Sequence, residues 1–317
     1  VQSRLEQLRK GFDPLTPIFV LVDPMVGEPL PGLGLPDASA DATAVREEGW
    51  GRAIVPVELS KTVALPPHQH PYLVALHGID DPLIDLTFDI AEEERLASQA
   101  GGLGGDGRAA HRIGGWLQSS MRHEELAALV SAMCRVNTDA RTNATYLRLA
   151  DRRVLDLLCH VTGVARVQRH FGRLQTWIYL DSCGQLRYLR SPSQPVEPLR
   201  LSRSEWLILE DGELLHRSIA QYLGESSSEE VAILNTPYRN AELAASAAKD
   251  AARRWPHRFI NNHDKAKWAA LFLLYQSGLQ LPGIARLLDD AGSKDEPAEP
   301  LRYLYDDIRA IVRLTAV

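Results

Sequence analysis

Cysteine is scarce in this sequence and unpatterned: Cys134, Cys159 and Cys183 are the three in 317 residues, with no CxxC pair and no His-paired metal spacing. An odd, sparse set argues against a disulfide framework and points to a reducing compartment. Long apolar runs are missing too. None approaches the roughly 20 residues of a bilayer-spanning helix, and the opening residues carry no charged-then-apolar secretory pattern. The expected location is the cytoplasm, away from any membrane. Basic charge is in deficit, with 35 Lys and Arg against 41 Asp and Glu and a net charge of −6. That balance gives no footprint for nucleic acid, despite local basic spots at His111, Arg112, Arg166, Arg169 and Arg173.

What is present is ordinary globular material, 45% hydrophobic and 24% charged, long enough to build two lobes around separate cores. The stretch Pro17-Ile-Phe-Val-Leu-Val-Asp-Pro24 is a short continuous apolar run closed by Asp-Pro, the signature of a strand covered on both faces, and Pro71 to His77 repeats it. The Gly- and Pro-rich segment from Gly27 to Glu48 is expected to be surface loop, and Ala100 to Gly107 a flexible connector. Apolar spacing predicts an amphipathic helix over 123–136, followed by an alternating strand over 145–150. Residues 174–180 and 185–190 flank Asp181-Ser-Cys-Gly184 as a hairpin, and Pro192, Pro195 and Pro198 mark a linker.

Beyond Leu199 strand signals stop. Helices are predicted over 206–223, 241–255, 264–277, 282–291 and 300–316; the third is apolar nearly all round, as suits the centre of a bundle. The expected class is α+β: an N-terminal mixed α/β lobe with a small sheet and packed helices over about residues 11–195, then an all-helical lobe over 200–317.

Chemistry-bearing candidates are few. In Thr145–Leu158, TYLRLADRRVLDLL, the period changes from strand to helix at Asp151, whose carboxylate can accept from the free N–H groups of the first turn. Arg152 and Arg153 sit at the end of the helix that its dipole disfavours for cations, so they answer local carboxylates or an acidic group on a partner. No second titrating group stands at a diagnostic spacing, so the cluster reads as a structural joint. His68 and His70, with His77, Asp80 and Asp81, could supply a metal shell, although the bland reading is a Pro-flanked loop. Cys159 and His160 cannot act as nucleophile and base on each other, because helix neighbours point about 100° apart. GLGGDG, residues 102–107, lacks the Lys-Ser/Thr of a phosphate loop. Trp177 and Tyr179 share a strand face, which is core if covered and a partner anchor if not.

The order of segments FVLVDPMVGEPLP, PYLVAL, GWLQSS, TYLRLADRRVL and HFGRLQTWIYLDSCGQL resembles the adaptor-chaperone family of bacterial type VI secretion, over about Phe19 to Leu223. Arg148, Asp151, Arg153, Val154 and Leu155 match a pattern in which an Arg-bearing strand runs into Asp-Pro-Arg-Val-Leu; Phe171, Gly172 and Trp177 match a Phe-Gly step before a Trp-bearing strand. Arg152 departs from it, standing where Pro is common at the first helical position. The resemblance implies a non-enzymatic protein that binds a secreted effector toxin in the cytoplasm and loads it onto the VgrG spike protein, without cofactor or metal. On that reading Arg148, Asp151 and Arg153 shape the lobe, the first lobe reads the spike and the second the effector, and binding anchors come from Trp177, Tyr179, Trp206, Trp268 and Tyr275. The alternatives are a metal-dependent hydrolase using His68, His70 and Asp80, a cysteine hydrolase using Cys159, or an interaction scaffold unrelated to secretion.

Overall fold

All five residues of β1, Ile18–Val22, are buried, because helices cover both faces of the sheet that contains it. The computed structural model describes residues 3–34, 41–100, 111–191, 197–226, 237–275, 279–290 and 298–315. The expected connector beyond Ala100 and the linker prolines Pro192 and Pro195 lie outside them. The sheet has the order β2 (Ile54–Pro56), β3 (Tyr72–Ala75), β1, β4 (Ile113–Gln118), β7 (Thr176–Leu180) and β8 (Leu186–Arg190), and every neighbouring pair is antiparallel.

Alternation along these strands sorts their side chains into two cores. Phe19, Leu21, Leu73, Leu117, Trp177 and Tyr179 point to one, with α4 (His123–Met133), α5 (Arg152–Thr162) and α6 (Val164–Phe171). Ile18, Val20, Val22, Tyr72, Val74, Trp116, Ile178 and Leu180 point to the other, with α1 (Arg4–Lys10), α2 (Ala42–Trp50) and α3 (Leu83–Ala100). A second, three-stranded sheet pairs β5 (Arg135–Thr138) antiparallel with β6 (Thr145–Tyr146) and parallel with β9 (Arg200–Leu201). The class is α+β.

Several expectations need correction. The 27–48 segment is not all loop: α2 begins after Asp41, whose carboxylate accepts from the amides of Thr43 and Ala44. Its apolar stripe is weak, and buried Arg46 holds it in place. The helix expected over 123–136 stops at Met133, where Val136 and Thr138 turn inward from alternating positions of β5. The strand expected over 145–150 is only Thr145–Tyr146; the chain then turns, with the Asp151 amide donating to the Arg148 carbonyl at 2.9 Å. The helix expected over 206–223 is two, α7 (Arg203–Glu210) and α8 (Gly212–Glu225), interrupted at Asp211. Eighteen-residue α3 was not anticipated. The hairpin of β7 and β8 is as the sequence suggests: Gly184 takes φ 78°, and the Asp181 carboxylate accepts from the amides of Cys183 and Gln185.

The chain divides into two compact units, residues 1–96 with 110–209, and residues 97–109 with 210–317. The first takes in α1, whose Leu8 is buried, and extends to Leu209. The second contains α8, α9 (Pro237–Arg254), α10 (Asn262–Tyr275), α11 (Pro282–Asp289) and α12 (Leu301–Thr315). Helix α10 packs against α8, α9 and α12, which accounts for its apolar circumference. A row of alanines on α9, Ala244, Ala248 and Ala251, admits Trp255, Trp268 and Tyr305 to the same core. No helix among the described residues is long and apolar enough to cross a membrane.

Candidate docking corner

Several buried ionic groups of the first unit converge beside the end of β1, and local sequence explains how. Asp23 follows the strand and caps the 3-10 turn Pro24–Val26, accepting from the Met25 amide at 3.1 Å. Its other oxygen accepts from Arg148 Nε. Asp151 caps α5, taking the Arg153 amide at 3.0 Å, and its carboxylate is gripped by Arg153 Nε at 3.0 Å and Nη2 at 2.7 Å. Arg152 is buried; it donates to Glu94 at 3.1 Å, to the Ile113 carbonyl at 2.8 Å and to the Ala91 carbonyl at 2.6 Å. Proline could make none of these bonds, so the departure at position 152 ties α5 to α3 and β4.

The network continues outward. Glu94 also accepts from Arg112 Nε at 3.0 Å, and Arg112 Nη1 donates to the Glu28 carbonyl at 2.8 Å. The Glu28 carboxylate takes Arg46 Nε at 2.9 Å and the Tyr72 hydroxyl, while Arg46 lies 4.2 Å from the centre of the Tyr72 ring. Backbone geometry makes room for this corner. Between the pairs Leu21–Gly115 and Val22–Ile113 the register shifts, leaving a bulge at Gly114. A Cβ on Gly114 would meet the Ala150 carbonyl oxygen at 2.4 Å, and Gly115, at φ 130°, admits the Trp177 indole, whose Nε1 donates to the Gly114 carbonyl.

Burial and charge act against each other here. Burial opposes ionisation of Asp151, but Arg153, then His111 and Arg148, outweigh it and hold the carboxyl well below the usual range. Burial pushes the Asp23 carboxyl up against the pull of Arg148. Arg152 is lowered by burial despite Glu94, whereas Arg148 is raised by Asp23 in spite of its burial. Pairs of this kind contribute little net stability when intact, yet losing one partner costs about 3 to 5 kcal/mol. They brace the corner more than they stabilise it.

Arg148, Asp151 and Arg153 are therefore brought together, with Asp23, Glu28, Arg46, Glu94 and Arg112 added. Only Asp23 carried a readable signal, the Asp-Pro that closes a strand; the others stand in segments read as loop or left unassigned. The aromatic candidates are not part of it. Trp177 stacks on Phe171 at 5.2 Å, and the Tyr179 hydroxyl donates to Asp156 at 2.8 Å, both beneath covering helices. Trp206 is buried in the same core with Arg141 over its ring. Trp268 packs with Trp255 and Phe259 inside the second unit, where Tyr275 is half-buried.

The hydrolase candidates are dispersed. His70 serves its own loop, with Nδ1 accepting from the Leu59 amide and Nε2 bonded to the Leu65 carbonyl. Asp80 is 96% exposed and faces Arg9, while Asp81 binds Arg52. No group of three or more His, Cys, Asp or Glu side chains among the described residues could hold a metal ion. Burial pushes the Cys159 thiol up to about 12. Compared with known proteins, the chain matches no family model, no curated protein and no solved structure.

Proposed function

We propose that this protein is a type VI secretion adaptor, which binds a cognate effector in the cytoplasm and loads it onto the VgrG spike. One observation carries the reading: the segments of the resemblance, widely separated in sequence, supply four adjacent strands of one sheet, β3, β1, β4 and β7, and the turn into α5, which is tied to that sheet through the Asp23–Arg148 contact and the close approach of Ala150 to Gly114. Matching segments that converge in space support one shared architecture. The buried charges there are matched to one another, which favours a rigid platform over a reactive site. Loading needs only differential affinity: the grip on the effector must weaken when the spike offers better contacts.

The test is co-expression of the tagged chain with a VgrG spike and a candidate effector from the same genome. The effector is expected to stay in solution and co-purify only when the chain is present, and a ternary complex should form on adding the spike. Co-purification of neither protein with the full chain would overturn the reading.

A further inference from the structure

The corner is lopsided in charge. The carboxylates of Asp23, Glu28, Glu94 and Asp151 keep 5% or less of their side-chain surface, whereas Arg112, Arg148 and Arg153 keep 27%, 21% and 24%. The side chains that reach solvent are therefore those of the arginines, on a protein whose net charge is −6. Arg148 uses only Nε on Asp23, so Nη1 and Nη2 have no hydrogen-bond partner among the described residues. A guanidinium offers a planar fork that matches a carboxylate, and half of that fork is left open here.

Beside it stand two adjacent exposed apolar residues, Met25 at 39% and Val26 at 49%. Their turn is held by the same Asp23 carboxylate that holds Arg148, so tip and cation are fixed relative to one another. The positive φ of Gly27 closes the turn.

We propose that this tip and the cationic face next to it dock an acidic, apolar segment of the spike protein, with Met25 and Val26 against its apolar side chains and Arg148 receiving a carboxylate. Charge complementarity to the exposed arginines makes the segment acidic; its source in the spike rests on the adaptor reading, in which the first unit meets the spike. The binding is charge-assisted, so it weakens with salt.

Two arms test it on the full-length chain. In the first, the peptide acetyl-Leu-Glu-Leu-Glu-Leu-amide and its Gln counterpart are titrated while the Met25 and Val26 methyls and the Arg148 side chain are followed by NMR. Shifts at all three with the Glu peptide, and at least tenfold weaker ones with the Gln peptide, are expected; equal shifts, or none, overturn the site. In the second arm, M25D/V26D, whose positions are exposed and whose melting should be unchanged, is compared with wild type. At least a tenfold loss of spike affinity with effector binding intact is expected. Unchanged spike affinity, loss of effector binding, or loss of a dimer present in the wild type each overturns the assignment. If the wild type binds neither protein the adaptor reading fails, and the peptide arm still decides whether the corner takes acidic chains.

Discussion

Asp23 and Arg148 are 125 residues apart in the chain and meet through one carboxylate oxygen and Nε. That contact fastens the turn after β1 to the segment entering α5, and Asp151, three residues beyond Arg148, fixes where that helix starts. Replacing Asp151 by Ala removes the cap and the carboxylate that takes Arg153 Nε and Nη2. A loss of about 3 kcal/mol is expected, read as a lower denaturant midpoint. D151N keeps a capping acceptor and should lose less. Equal midpoints for D151A and wild type would show that the cap is idle.

The two acids should respond to pH with opposite sign. Asp151 is held below the usual carboxylate range by Arg153. Its contribution is therefore present above the unfolded value of about 3.9 and is lost as pH falls below it. Asp23 is raised by burial, so the folded state takes up its proton first, and its contribution is present below that unfolded value and lost as pH rises through the raised one. Stability measured by urea titration between pH 3 and 7 should rise less steeply with pH in D151N than in wild type, and more steeply in D23N.

Gly114 and Gly34 make a matched pair. A Cβ at 114 would press on the Ala150 carbonyl, which is backbone and cannot swing aside, whereas one at 34 meets nothing within 4 Å. G114A is expected to cost at least about 2 kcal/mol and G34A close to nothing, compared by thermal melting.

Much of the fold was legible because burial repeats along the chain. The continuous apolar runs at Ile18–Val22 and Tyr72–Ala75 stand between two helical layers, and alternation sorts Trp177 from Ile178 into different cores. Legibility failed where ions replaced apolar periodicity. Helix α2 is held by Arg46 and Glu28, and α3 by Glu94 as well as Ile84 and Phe88, so their stripes are diluted. The corner was half visible: Asp151 could be read as a cap from the change of period, but its neighbours come from four other segments, which no spacing rule connects. Trp206 and Trp268 drew notice as possible anchors because size makes an aromatic conspicuous in sequence, and burial is a tertiary property.

The thiols provide a separate check on packing. Burial pushes Cys134 and Cys159 up to about 12 and the less covered Cys183 up to about 11. At pH 8 an unfolded thiol near 8.5 is about one quarter thiolate, so Cys183 should react with a disulfide reagent on the order of 100-fold more slowly than after denaturation. Cys134 and Cys159 should stay unmodified while the chain is folded. Rapid reaction of Cys159 in the native protein would revive the cysteine-nucleophile reading.

Arg258 is the critical ion of the helical unit. It is buried, and its guanidinium donates to the carbonyls of Leu287, Leu288 and Asp290, at and just beyond the C-terminal end of α11, and to that of Glu299, just before α12. Its own carbonyl accepts from the Leu301 amide at 2.8 Å, at the start of α12. A cation suits that end of a helix, where the dipole is negative. R258A strands several acceptors at once and should cost about 3 kcal/mol or more. R258K restores the charge but cannot span four carbonyls, so it should recover only part of the loss. Because these contacts lie within the second unit, hydrogen exchange in R258A should accelerate through α10, α11 and α12 and leave the amides of β1 and β4 protected. Exchange that rises equally in both units would mean instead that they unfold as one.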